Sequence, residues 1–171
     1  MSAQSPAIKI SHHPVFLGED PARIASIQRG ELIHRALSLL DHFSGNEDVE
    51  KVILQAFALH GVDTMRWNIE KDYLKPLLAV LSLPLVNSWF KPGVLNLREV
   101  EIVDAHGAVH RIDRLIIGTE ILEVIDFKLG RREEEHRAQV RLYTELVASV
   151  FSRSTQGYLL YVDEPAVVAV P

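Results

Sequence analysis

The chain of 171 residues contains no cysteine. That absence removes a disulfide framework, a thiolate zinc site and a cysteine-ligated iron-sulfur cluster, and it suits a reducing compartment. No apolar run approaches the ~20 residues needed to span a bilayer. The opening stretch, MSAQSPAIKISHHP, has no basic region followed by a long apolar segment. A soluble, cytoplasmic protein with no membrane partner is therefore expected. No G-x-x-x-x-G-K-[ST] loop occurs, so any ATP-driven work must come from elsewhere. An excess of positive charge is missing too. The formal net charge of −5 argues against a uniformly basic coat, although a local patch can still hold phosphates.

What is present is enough apolar material, 47% of side chains, for one sizeable core. Residues 1–22 hold Pro6, Pro14, Gly18 and Pro21 and read as an extended lead-in, in which His12 and His13 are solvated side chains without a role. Residues 23–171 are expected to form a single domain. From Ala22 to Phe43 apolar residues recur at helical spacing (Leu32, Ile33, Ala36, Leu37, Leu40, Phe43), with His34 at the edge of the stripe. A second helix buries Val49, Val52, Ile53, Ala56 and Phe57 and stops at Gly61. A third runs from an Asp63 or Thr64 cap to Leu81, kinked or divided at Pro76, and Leu83 to Phe90 holds a short further turn. Trp67 and Trp89 could serve as platforms for nucleobases, but in this apolar helical section a tryptophan is usually core.

After Gly93 the pattern becomes strand-like over Val94 to Val103, and Asp104 to Gly107 make a compact turn. His110–Ile117 and Ile121–Lys128 then form a hairpin around Gly118-Thr119. Alternation puts Asp126 and Lys128 on one face with Leu122 and Val124, and Ile125 and Phe127 on the other. Charges at the end of so apolar a strand admit two readings. They form an exposed cross-strand pair worth ~0.2–1 kcal/mol, or, with Asp113 on the neighbouring strand, they belong to a divalent-cation site. Beyond Gly130 a long helix starts near Glu133, with Gln139, Tyr143, Leu146 and Val150 on its inward stripe. Strands follow at Tyr158 to Val162 and Val167 to Val170. The order implies an α/β fold with the sheet packed against helices.

Five motifs, in order, resemble the RecB-type nuclease domains of the PD-(D/E)XK superfamily. Arg29-Gly30 with His34 is similar to the G-x-x-x-H helix, and Arg98-Glu99 to a glutamate at a strand start. Arg111-Ile112-Asp113-Arg114 resembles the G-x-I-D-R strand, and Val124 to Lys128 the V-I-D-Y-K strand. Gln139 to Tyr143 is similar to the Q-L-x-x-Y helix. Two departures, Val109-His110 before the first aspartate motif and Leu129 after the lysine, touch no reacting group.

The resemblance implies a restriction-endonuclease-like core (αβββαβ, a mixed sheet flanked by helices) over residues 25–162, with a helical insert at about 45–92. It implies Mg2+-dependent, or Mn2+-dependent, hydrolysis of DNA phosphodiesters, as an exonuclease or helicase-associated module in repair and recombination. Single strands or ends are the implied substrate and a helicase subunit or domain the implied partner. A site-specific endonuclease of the same fold, or a non-catalytic DNA-binding module, stands as the alternative. The implied metal ligands are His34, Asp113, Asp126 and the main-chain carbonyl of Phe127. Lys128 orients or helps deprotonate the attacking water, Glu99 holds a metal-bound water, and Gln139 and Tyr143 position the phosphate or buttress Lys128. Between Lys128 and Arg141 stand five Lys or Arg against three Glu. Arg131, Arg132, Arg137 and Arg141 are candidate DNA-backbone contacts, although i, i+4 pairs such as Glu133 with Arg137 would make part of this a solvated helix face.

Overall fold

A computed structural model of the protein describes residues 20–171, so His12, His13 and nearly all of the lead-in lie outside the described residues. Helix α1 spans Pro21–Leu39. It begins where Asp20 accepts a hydrogen bond from the Ala22 N–H and Pro21 fills the first position, whose N–H would have had no partner. It ends four residues before the expected Phe43. The carbonyls of Leu37 and Leu40 turn to the Arg114 guanidinium, and Phe43 N–H is taken by Phe90 O. Helix α2 (Asn46–His60) buries the expected face and stops at Gly61, whose φ of 62° is the left-handed conformation glycine adopts freely.

The expected third helix is in pieces. Asp63 caps a 3-10 turn at Thr64–Arg66, and a π-turn over Glu70–Leu74 leads into α3 (Lys75–Leu81). Pro76 has no N–H for the Asp72 carbonyl, and Arg29 Nε donates to that carbonyl instead, at 3.0 Å. Arg29 also pairs with Asp163 at 2.8 Å, and Asp163 accepts from Gly130 N–H, so one side chain ties the π-turn to the loop after β3. Helix α4 (Pro84–Trp89) completes this layer. Trp89 is fully buried, with its indole N–H on Glu123, and Trp67 packs at the edge of the core.

Strands β1 (Asn96–Val103), β2 (Val109–Ile117), β3 (Leu122–Lys128), β4 (Thr155–Tyr161) and β5 (Ala166–Val170) form one sheet in sequence order. All neighbours are antiparallel except β3 and β4, which α5 (Glu134–Phe151) connects. The sheet is therefore mixed and flanked by helices: α1–α4 cover the face bearing Ile125, Phe127 and Leu160, and α5 covers the face bearing Leu122, Val124 and Leu159. The inward side of α5 differs from the expected stripe. Val140, Tyr143 and Val147 are buried, whereas Val150 is 63% exposed. Val140 packs directly over Gly157, where a Cβ would stand 2.5 Å from Val140 Cγ1, so the bare position lets the helix lie close against β4 on this side. Among the described residues no helix is long and apolar enough to cross a membrane.

Candidate active site

The ladder between β2 and β3 runs from Ile117 opposite Leu122 to Arg114 opposite Ile125 and stops. The next rung would set Asp113 against Asp126. The β1–β2 ladder also skips one rung, between Arg98 opposite Arg114 and Val100 opposite Ile112, where Glu99 would face Asp113. Glu99 itself has φ 50°, a conformation that strains a residue with a Cβ. Three acids, Glu99, Asp113 and Asp126, thus share one level across three strands at the positions where main-chain pairing lapses. The alternation of β2 slips at the same place, because Ile112 and Leu115, three apart, both pack on the α5 side.

Asp113 Oδ2 accepts the Phe127 N–H at 2.7 Å, and its other oxygen stands 3.5 Å from His34 Nδ1. His34 also meets the Phe127 ring edge-on and lines an open cleft of about 530 Å³. His34, at the edge of the apolar stripe of α1, thus stands beside the Asp113 carboxylate. Asp126 is 3% exposed. Lys128 Nζ lies 2.7 Å from Asp126 Oδ2, but off the axis of a hydrogen bond, and Oδ2 has no hydrogen-bond partner. Burial, and then the Asp113 charge, push the Asp126 carboxyl from its ordinary 3.8 to about 6, partly offset by Lys128 and His34.

The Lys128 ammonium donates instead to Gln139 Oε1 at 2.8 Å, and Gln139 Nε2 donates to the Tyr143 hydroxyl at 2.7 Å. An ammonium can only donate, so this contact fixes which end of the amide faces it and leaves the Tyr143 hydroxyl as the acceptor. Burial raises the Tyr143 pKa, and the hydroxyl stays protonated. Glu99 is turned toward α1, where Arg35 NH1 holds its carboxylate at 3.3 Å.

The residues read from the sequence therefore divide. Asp113, Asp126, Lys128, His34, Gln139 and Tyr143 form one connected group, and Phe127 links it through its N–H. Glu99 lines the cleft from its rim. Arg131, Arg132, Arg137 and Arg141 do not line that cleft. Arg132 lies over the Tyr161 ring, and Arg137 meets Glu134 at 3.8 Å, one position from the Glu133 the spacing had suggested. Arg35, Arg111 and His60 line the cleft instead. Their signal in the sequence is position alone: Arg35 follows His34 directly, and Arg111 precedes Asp113 by two on the same strand.

Arg114, the residue after Asp113, is fully buried, donates to Leu37 O, Leu40 O and Asn96 Oδ1, and stacks on Phe90 at 4.1 Å. Burial lowers its pKa to about 10, so it is still charged at neutral pH. It closes the C-terminal end of α1, whose last carbonyls have no helical donors. The helix carrying His34 is thereby fixed to the strand carrying Asp113 by the very next residue.

Among the described residues no group of three or more His, Asp or Glu side chains stands drawn together as a finished cation cage. The donor set nevertheless fits a hard divalent ion: two carboxylates at the level of the broken rung, a buried oxygen without a hydrogen-bond donor, and an imidazole beside them.

None of the curated proteins matches the chain. The crystal structure of SSO0001 is similar at 20% identity over 86% of this chain and 77% of that one, with a TM-score of 0.36, an overlap too loose to bear on chemistry. The sequence profile of the PD-(D/E)XK nuclease superfamily matches residues 13–169, nearly the whole chain. With the mixed sheet, the paired aspartates and the lysine two residues beyond the second, this shows that the chain belongs to the PD-(D/E)XK nuclease superfamily.

Proposed function

We propose that the protein is a Mg2+- or Mn2+-dependent deoxyribonuclease of RecB type, acting on single strands or DNA ends as an exonuclease or as the nuclease module of a helicase-associated system in repair and recombination. The observation that carries this reading is Asp126: a buried carboxylate beside a second one, its pKa raised to about 6 even though Lys128 stands 2.7 Å from it. Such a group costs stability and is tolerated where a cation completes it.

His34, Asp113, Asp126 and the Phe127 carbonyl would hold the ion, which supplies charge neutralisation at the phosphate and a water acidic enough to attack near neutral pH. Lys128, charged and 2.7 Å from Asp126, orients that water or stabilises the charge on the phosphate as it is attacked. Gln139 accepts from the Lys128 ammonium and holds it between its own side chain and that of Asp126, and Tyr143 fixes Gln139 in turn. Glu99, held by Arg35 at the rim, takes the more distant water. Arg131, Arg132, Arg137 and Arg141 serve as outer contacts to the DNA backbone beyond the cleft.

The test is degradation of end-labelled linear DNA against a closed circle, with magnesium, manganese or chelator. Metal-dependent loss of the linear form with the circle intact supports an end-directed nuclease. Discrete cuts in the circle favour an endonuclease, and no cleavage of either under any metal removes the catalytic reading.

A further inference from the structure

Helix α1 faces the cleft with Gly30, Glu31, His34 and Arg35, and Gly30 is the anomaly among them. A glycine inside a helix is disfavoured against alanine, because it gives up more backbone freedom and packs nothing. The other glycines of the described residues have local reasons. Gly61, Gly93, Gly107 and Gly130 take positive φ, Gly118 and Gly157 would put a Cβ 2.5 Å from a neighbour, and Gly45 is the cap of α2. Gly30 has none of these: its backbone is ordinary helix, and a Cβ there would meet nothing within 4 Å. The fold does not need a bare position at this point.

What the bare position does provide is access. It lies one helical turn before His34, whose ring is 3.5 Å from Asp113, and on the wall of the cleft that has Lys128 in its lining. Arg35 on the same wall and Arg111 on β2 put two guanidiniums on the cleft, Arg35 standing against Glu99. A ligand that needs close approach to a helix backbone, and cations on either side of that approach, is a chain of phosphates.

We propose that the substrate's sugar-phosphate backbone crosses α1 directly over Gly30, with the missing side chain as the gap that lets a phosphate reach His34 and Asp113. The inference rests on the nuclease reading above and adds the track the strand follows. Arg35 changes partner from Glu99 to a phosphate as the strand enters. Any side chain at position 30 lifts the strand away from the acids while leaving the fold and the metal donors untouched.

Opposite signs in two measurements separate this from a structural role. Gly30→Ala is expected to raise Tm by about 2–4 °C, yet to weaken binding of a short fluorescein-labelled single-stranded oligodeoxynucleotide several-fold by anisotropy. Gly30→Leu is expected to weaken that binding by more than tenfold. Manganese affinity stays unchanged in both. Ala22→Leu, which adds bulk on an exposed position of α1 two turns before Gly30 and outside the cleft lining, is expected to bind as the unaltered protein does. Gly30→Leu binding and cutting the oligonucleotide as well as the unaltered protein overturns the proposed track and leaves the nuclease reading standing. An unaltered protein that neither binds nor cuts the oligonucleotide in manganese overturns both.

Discussion

Arg114 and Asp126 both carry charge into the interior, from neighbouring strands, and their surroundings treat them in opposite ways. Around Arg114, at the junction of α1 and β2, two carbonyls, an asparagine oxygen and an aromatic face meet the guanidinium. Around Asp126, at the lapsed rung of β2 and β3, a second carboxylate presses on the group, and Lys128, 2.7 Å from one oxygen, offsets it only in part. Each would lose several kcal/mol if buried bare. The first region offsets most of that cost with partners, only the Arg114 Nε being left without one, and so works as a joint. The second relieves it only in part, through Lys128 and His34, and a buried carboxylate set beside another in this way is a place for a cation. A buried charge is thus read by its complement of partners, not by its burial.

The largest effect expected on breaking this contrast is at Asp126. Asp126→Asn should lower metal-dependent cleavage on the order of 10³-fold, about 4 kcal/mol of barrier, while making the metal-free protein more stable. The sign follows from the raised pKa. In the folded chain the carboxyl keeps its proton up to about pH 6, against 3.8 ordinarily, so its contribution is fully present below about 4 and is lost as pH rises to 6. In chelator the unaltered protein should therefore lose on the order of 1–3 kcal/mol across that window, and Asp126→Asn should not. Thermal melts of the two proteins that run parallel from pH 4 to 7 would show that Asp126 is not strained.

Next comes the joint. Arg114→Ala leaves the carbonyls of Leu37 and Leu40 without donors and opens a cavity beneath Phe90, for an expected loss of about 3 kcal/mol in urea unfolding. Arg114→Lys should recover less than half of that, since one ammonium cannot span three acceptors and stack on a ring. Manganese affinity should fall in both through the loosened His34. An Arg114→Ala protein of unchanged stability would move Arg114 out of the joint.

The smallest effect sharpens the contrast by touching only the relay. Tyr143→Phe keeps the ring but removes the acceptor that orients Gln139, and should slow turnover about 5–10-fold, near 1 kcal/mol, without changing manganese affinity. A change in metal affinity with turnover intact would place Tyr143 at the ion instead.

The part of this site that was legible in the sequence is the part with local cause. Strand alternation placed Asp126 and Lys128 together on the α5 side, and turn residues bounded the hairpin around them. Helical spacing found the buried face of α2 residue for residue. What escaped has distant cause. Nothing local marks Arg114 for burial, because the carbonyls that take it up lie more than 70 positions away. The stripe on α5 differs because the helix packs through Val140 onto Gly157 of a later strand, with Val147 buried and Val150 exposed. The broken third helix has a Pro76 that was visible, but not the π-turn before it or the Arg29 that takes the freed carbonyl. Arg35 and Arg111 matter by the cleft they share, and neighbours in a cleft leave no period in a sequence.

The joint at Arg114 also bears on the order in which the molecule is made. β3, α5 and β4 are consecutive and pair with one another, whereas Arg114 reaches back 77 residues to Leu37. Closing so long a loop is entropically the slower event, so the sheet centre with Asp126 and Lys128 is expected to gain amide protection before α1 does, as pulse-labelled hydrogen exchange during refolding would reveal. α1 protected first would refute that order. A chain partway through folding would then hold its acids and lysine but not His34, and competence to cut would arrive only with the last long-range contact.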